Sequence, residues 1–187
     1  MLEADIKKAL EKHLMERSSS GWGVRVIEEL AVSGGVARAD LVDVTELHCY
    51  EIKSEKDSLR RLVSQGARYM RVFNQITLVT APCHLEAALT VLPSSWGIIL
   101  VPKDSEGGFV EFRQAGRNSM QEPNHVSSLL AKDECLSILS KQGLQEGRRS
   151  LSLYKLQDFM AETFSLDQLK DLVRSALEMR ADQRSPV

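Results

Sequence analysis

Residues 38 to 53, RADLVDVTELHCYEIK, set Asp40, Glu51 and Lys53 among apolar and β-branched residues. A hairpin with Thr45-Glu46 as its two-residue loop pairs positions whose numbers add to 91. Asp40 then lies opposite Glu51 and Arg38 opposite Lys53, all on one face. If Gly34-Gly35 is the loop of the preceding hairpin, pairs add to 69 and Glu29 lands opposite Asp40. Carboxylates opposed at a Cβ separation of about 4.5–5.5 Å repel unless a cation intervenes. Two or three of them with a backbone carbonyl make a hard oxygen set of the kind Mg²⁺ or Mn²⁺ accepts. Lys53, two residues past Glu51 on the same strand face, adds a fixed cation. That combination suits phosphodiester hydrolysis, where a metal activates water and metal and lysine stabilise charge on the phosphate. Spacing alone also fits a solvated strand surface with cross-paired charges.

The elements that must position these residues are legible from periodicity. Ala4 to Arg17 has Ile6, Ala9, Leu10 and Leu14 at helical spacing, ended by the Ser18 to Gly21 run. Three β-like runs follow, Val24 to Val32, Val36 to Val44 and Leu47 to Lys53, as an antiparallel meander. Asp57 to Phe73 returns to helical spacing, with Asp57 placed as its cap, and Gln75 to Thr80 is a strand. His84 to Leu92 is a short helix stopped by Pro93. Trp96 to Val101 is a buried strand, and Gly107-Gly108 leads into an edge-like FVEF strand. Beyond Gly116 the β signals stop. Val126 to Lys141 and Leu151 to Phe164 are amphipathic, and Ser165 with Gln168 forms a capping box before a helix ending near Arg180. The expected organisation is an α/β core over 1–116, a helical C-terminal appendage over 117–182, and a flexible tail over 183–187, with Asp182 onward untethered.

The 187 residues are enough for one domain with a real core, and 27% charged with 43% apolar residues is ordinary for a globular chain. A net charge of −2 excludes a generally basic nucleic-acid binder, so any basic footprint is local. Cys49, Cys83 and Cys135 form neither a CxxC pair nor an even set, which predicts a reducing, cytoplasmic setting. No apolar run is long enough to span a bilayer, and no signal-peptide core is evident near the N-terminus, so no membrane association is expected.

The segment ARADLVDVTELHCYEIK, residues 37 to 53, resembles the core of the PD-(D/E)XK nuclease superfamily, with Asp40 as the first acidic position and Glu51-Ile52-Lys53 as E-x-K. Gln65 and Tyr69, in SQGARY, resemble the Q-x-x-x-Y motif of its lambda-exonuclease and RecB-like branch. The longer run from Arg38 to Val79 is similar to a family of largely uncharacterised bacterial and prophage proteins assigned to that superfamily. The opening DIKKAL, together with LLAKDECLSIL and LDQLKDLVRSAL near the other end, extends the likeness over nearly the whole chain. Cys49 replaces a common glycine and Ala131 an expected tryptophan. The resemblance implies a restriction-endonuclease-like mixed β-sheet flanked by helices and a metal-dependent nuclease, with DNA the expected substrate, in repair, recombination or phage and mobile-element biology. It also implies that Asp40, Glu51 and the Ile52 carbonyl bind Mg²⁺ or Mn²⁺, that Lys53 orients water or stabilises the transition state, and that Gln65 supports the site. Glu29 is added on register grounds, ahead of Glu11 or Glu16 from the first helix. The alternative is a noncatalytic nucleic-acid- or protein-binding module that keeps the fold.

From Lys53 to Arg71 six cations (Lys53, Lys56, Arg60, Arg61, Arg68, Arg71) face two anions (Glu55, Asp57). Arg38, Arg60, Arg61, Arg68, Tyr69 and Arg71 are the candidate nucleic-acid contacts. The C-terminal helices are the candidate surface for a protein partner or self-association. The four histidines lack metal-ligand spacing, and Trp22, Trp96 and Tyr50 read as core or rim. Neither GxSxG nor a P-loop occurs, and Gly21-Trp22-Gly23 is too weak a signal for a dinucleotide site.

Overall fold

The computed structural model describes residues 2–17, 24–101 and 108–184; Trp22, the Gly21 to Gly23 signal, the Ser18 to Gly21 stop of the first helix, Gly107 and the last three tail positions lie outside them. The apolar periodicities become α1 (Glu3–Arg17), β1 (Val26–Val32), β2 (Ala37–Asp43), β3 (His48–Lys53), α2 (Leu62–Tyr69), β4 (Gln75–Thr80), α3 (Leu85–Val91), β5 (Gly97–Leu100) and β6 (Val110–Arg113). Four more helices follow: α4 (Pro123–Ser127), α5 (Lys132–Lys141), α6 (Leu153–Thr163) and α7 (Leu166–Arg184). The strands form one mixed sheet in the order β1-β2-β3-β4-β5-β6. β1, β2 and β3 are an antiparallel meander, β3, β4 and β5 run parallel, and β6 returns antiparallel at the edge. The chain is thus a mixed α/β protein with a helical C-terminus.

Each face of the sheet has its own apolar cluster. Ile6 and Leu10 of α1 pack against Leu41, Tyr50, Ile52, Val79 and Ile99. Full burial of each aliphatic side chain contributes about 1.5–3 kcal/mol, which fixes α1 across the strands. The opposite face carries α2, α3 and the C-terminal helices in one continuous cluster, from Ile27 and Val42 through Tyr69 and Trp96 to Leu156, Leu177 and Ala181. The helical third therefore shares the core of the sheet and is not an appendage to it. Its last helix runs to Arg184, and Asp182, expected to be untethered, accepts a hydrogen bond from Arg25 Nε at 2.7 Å. Among the described residues no helix is long and apolar enough to cross a membrane.

Both hairpin registers follow the turn signals. β1–β2 pairs run from Val32↔Ala37 to Val26↔Asp43, and β2–β3 pairs run from Asp43↔His48 to Leu41↔Tyr50. Gly34 and Gly35 take φ of 66° and 88°, a region open to glycine at little cost. Thr45-Glu46 works as a loop because Asp43 Oδ1 accepts the Thr45 N–H at 2.9 Å, an Asx turn that supplies what those two residues lack. The expected long helix over Asp57 to Phe73 is shorter, with a 3₁₀ turn at Leu59–Arg61 before α2. Its cap is Ser58, whose hydroxyl accepts from Arg60 N at 3.2 Å. Asp57 instead accepts from the Ser54 N–H (2.7 Å) and hydroxyl (2.6 Å), closing the turn that follows β3. Val126 to Lys141 is likewise broken between α4 and α5, where Glu134 reaches back to the Ala131 N–H at 2.7 Å. The Ser165–Gln168 capping box forms as its spacing predicts, with bonds of 2.9 and 3.3 Å.

Candidate active site

The site forms where strict strand alternation fails. Ala37, Ala39 and Val42 of β2 all join the cluster under α2, whereas Leu41 joins the one under α1, so the side-chain parity of β2 reverses at Asp40. β1 reverses in step: Ile27 and Leu30 are buried on one face, with Glu28 and Glu29 exposed between them. Glu29 carries φ +54°, a conformation uncommon for a residue with a Cβ. The paired register passes from Glu28↔Leu41 to Leu30↔Ala39 and skips Glu29 and Asp40. On its other side the β2–β3 register ends at Leu41↔Tyr50, one pair short of Asp40 and Glu51. The Ile52 N–H donates to Asp40 Oδ2 at 2.7 Å. The strands therefore splay at the acidic pair, and the Asp40 carboxylate takes a backbone donor into the gap.

On the α2 side of that gap, Glu51 is fully buried. Lys53 Nζ donates to Glu51 Oε1 at 2.5 Å and to the Ile52 carbonyl at 3.1 Å. The Tyr69 hydroxyl lies 2.8 Å from Glu51 Oε2 and 2.7 Å from the Arg38 carbonyl, so its one proton serves two acceptors. Burial, more than any neighbouring charge, holds the Tyr69 phenol far above its ordinary pKa, so it stays a donor. α2 can sit this close because residue 66 is glycine: a Cβ there would be 2.8 Å from Trp96 Cζ2. Gln65, one turn before Tyr69 on the same helix face, is half-buried, and its Oε1 is buried without a hydrogen-bond partner among the described residues.

On the open side, carboxylate oxygens of Glu3, Glu29 and Asp40 all lie within 4.8 Å of one another. Lys7, one turn after Glu3 on α1, donates its ammonium to Glu29 Oε1 and lies 3.7 Å from Glu28 Oε2. Burial lowers the Lys7 pKa, but Glu29, Glu28 and Asp40 together raise it above the ordinary lysine value. Asp40 joins the two sides. Burial first, and then the charge of Glu51, push its carboxyl from 3.8 up to about 7, against the pull of the Ile52 N–H and Lys53.

The gathered carboxylates of Glu3, Glu29 and Asp40 are hard oxygen donors of the kind that fits a divalent cation such as Mg²⁺ or Mn²⁺. The expected residues Asp40, Glu51, Ile52 and Lys53 lie around one gap, and Glu29 joins through Asp40; Gln65 is on α2, one turn before Tyr69, with no bond to any of them. Glu11 and Glu16 do not enter the cluster: Glu11 lies eight residues past Glu3, about 12 Å along a helix, and Glu16 pairs with Lys12 at 3.8 Å. Glu3 and Lys7 were missed. Reading the Ile6–Leu10 stripe back by one turn would have found Glu3.

Among the expected nucleic-acid contacts, Tyr69 must be corrected, because it is buried and its hydroxyl is committed to Glu51 and Arg38. Arg38 is well exposed and lies with Nε 4.0 Å from Glu29, not paired opposite Lys53 as expected, because the β2–β3 pairing ends at Leu41↔Tyr50. Arg60, Arg61 and Arg68 are exposed and in no ion pair among the described residues. Arg71 instead faces α4, with Nε 3.5 Å from Glu122. His48 is neutralised by burial, its pKa lowered to about 4, and is held by Thr77 Oγ1 at 2.8 Å on the face away from Glu51. That matches a structural role, and Trp96 and Tyr50 are core residues as expected.

Fold and site together define a mixed α/β protein with a lysine–carboxylate constellation at a splayed central strand pair. Residues 1–186 match the family described as Bacteriophage P4 protein cII, and the chain belongs to that family. Protein cII of Enterobacteria phage P4 is 25% identical over 181 residues, which cover 95% of this chain and 67% of that protein. A solved protein of unknown function from Silicibacter pomeroyi is similar at a TM-score of 0.49 with 15% identity, covering 81% of this chain and 99% of that one.

Proposed function

We propose that this protein is a metal-dependent nuclease of the PD-(D/E)XK type that hydrolyses phosphodiester bonds, with DNA as substrate. The observation that carries this reading is the meeting of Asp40, Glu51, the Ile52 carbonyl and Lys53 at the gap between β2 and β3. Asp40 and Glu51, with Glu3 and the Ile52 carbonyl, would hold Mg²⁺ or Mn²⁺, which when bound activates water and offsets phosphate charge. Lys53 then stabilises negative charge on the phosphate in a site where burial strengthens that interaction. Tyr69 fixes the Glu51 carboxylate, and Gln65 presents an acceptor on the same helix face. Arg38, Arg60, Arg61 and Arg68 offer exposed cations for the phosphate backbone.

A noncatalytic nucleic-acid- or protein-binding module is the second reading, favoured by one observation: Lys53 and Lys7 already neutralise Glu51 and Glu29 without a metal. One experiment separates the two. Purified protein is incubated with linear and supercoiled DNA in EDTA, Mg²⁺ or Mn²⁺, alongside Lys53→Ala. The nuclease reading expects cleavage only with metal and a loss of at least about a hundredfold in Lys53→Ala. Equal cleavage by both proteins ends it. Salt-sensitive binding with no cleavage under any condition supports the second reading.

A further inference from the structure

Lys7 is the one buried charged residue among the described side chains of α1. A buried ammonium persists only when paired, because its desolvation is costly. Its partners are Glu29 and Glu28, both on β1 at the point where positive φ turns the strand. Arg38 Nε, at 4.0 Å, approaches the other Glu29 oxygen. Among the described residues neither Glu3 nor Asp40 is in an ion pair, and the donor to Asp40 is the uncharged Ile52 N–H. Of the three clustered carboxylates, Glu29 alone is already neutralised.

The charge count at the gap points the same way. Glu3, Glu28, Glu29, Asp40 and Glu51 bring five negative charges when ionised, and Lys7, Arg38 and Lys53 bring three positive ones. The balance of two negative charges matches one divalent cation. Two-metal sites need two such ions about 3.5–4 Å apart, and this site lacks the charge to hold a second while Lys7 stays in place.

We propose that Lys7 is a built-in counter-ion that keeps Glu29 out of metal coordination and limits the site to one divalent ion. It is a positioning residue that acts through Glu29. The proposal rests on the metal-dependent reading above, and the test separates their failures. Mn²⁺ binding to the full chain is measured by electron paramagnetic resonance for wild type, Lys7→Gln, Lys7→Arg and Lys7→Gln/Glu29→Gln, with thermal melts to confirm folding. Wild type is expected to bind one Mn²⁺ per chain. Removing a unit charge roughly 6 Å from a divalent ion, even with water-like screening, is worth about tenfold in affinity. Lys7→Gln should therefore bind Mn²⁺ at least about tenfold more tightly or take a second ion. Lys7→Arg should match wild type, and Lys7→Gln/Glu29→Gln should return to wild-type binding. Lys7→Gln within about twofold of wild type, or a double variant as tight as Lys7→Gln, overturns the proposal. If wild type binds no Mn²⁺ and Lys7→Gln binds one, the metal-dependent reading of the native site falls, and the limit of one ion falls with it. If neither binds, both fall.

Discussion

Two lysine–carboxylate pairs flank Asp40, alike in chemistry and opposite in setting. Lys53 and Glu51 are 13% and 0% exposed at the side chain, whereas Lys7 and Glu29 are 10% and 43% exposed. The first pair sits under α2 with Tyr69 on the second Glu51 oxygen; the second faces outward beside Glu3 and Arg38. Lys53 holds one Glu51 oxygen and Tyr69 the other, so the closed pair is fixed in position. In the open pair only Glu29 meets solvent, so that carboxylate can exchange partners while Lys7, as buried as Lys53, must stay paired. Burial, set by the parity reversal at Asp40 and Glu29, separates the two roles.

The comparison breaks most visibly if Lys53 is removed. Lys53→Ala leaves Glu51 buried without its cation, and breaking a buried pair costs about 3–5 kcal/mol. Lys7→Ala leaves a Glu29 that already meets solvent, and the corresponding loss is about 1 kcal/mol or less. Urea melts of the two variants in EDTA measure the difference. Equal losses would mean that both pairs experience the same environment. Saturating Mn²⁺ is expected to recover part of the Lys53→Ala loss, because the ion supplies positive charge to Glu51.

A smaller effect tests the second restraint on Glu51. Tyr69→Phe keeps the ring in the core but removes the donor shared by Glu51 Oε2 and the Arg38 carbonyl. An acceptor left buried without a donor costs about 1–3 kcal/mol. Chemical denaturation compared with wild type reads it directly. A change under about 0.3 kcal/mol would show that water replaces the hydroxyl, and that the closed side is less closed than its burial implies.

Much of this architecture is legible in the sequence. The Gly34-Gly35 and Thr45-Glu46 signals fixed both registers, because loop position sets the pairing of every residue beyond it. That was enough to bring Asp40, Glu51 and Lys53 to one place. The reversal at Asp40 was not legible, because an alternating pattern extrapolated through β2 has no marker for a strand whose parity changes midway. Glu29 gives no sequence sign of its positive φ, since glutamate is not a residue that favours it. Tyr69 read as a surface contact because a tyrosine at helical spacing fits either face, and the glycine that lets α2 approach Trp96 was not read as a packing position. The helical third looked separable because a change from β to helical periodicity marks a change of element, while its shared core with the sheet is a long-range fact.

Asp40 belongs to both sides, and its titration sharpens the comparison most finely. Burial and the Glu51 charge raise its folded pKa from 3.8 to about 7. Between those values the folded state holds a proton that the unfolded state has released, so stability falls as pH rises through this window and levels off above about 7. The slope from one such group is at most about 1.4 kcal/mol per pH unit. Asn in place of Asp40 still offers an oxygen to the Ile52 N–H and does not titrate. In EDTA, Asp40→Asn should therefore gain on wild type as pH rises from about 4.5 to 7, and the gap should then stay constant. Added Mn²⁺ should reverse the order above pH 7, because the ion requires the ionised carboxylate that Asn cannot supply. Parallel stability curves for the two proteins across this range in EDTA would mean that Asp40 is ionised in the folded protein throughout, held by the Lys7 side more strongly than burial and Glu51 oppose it.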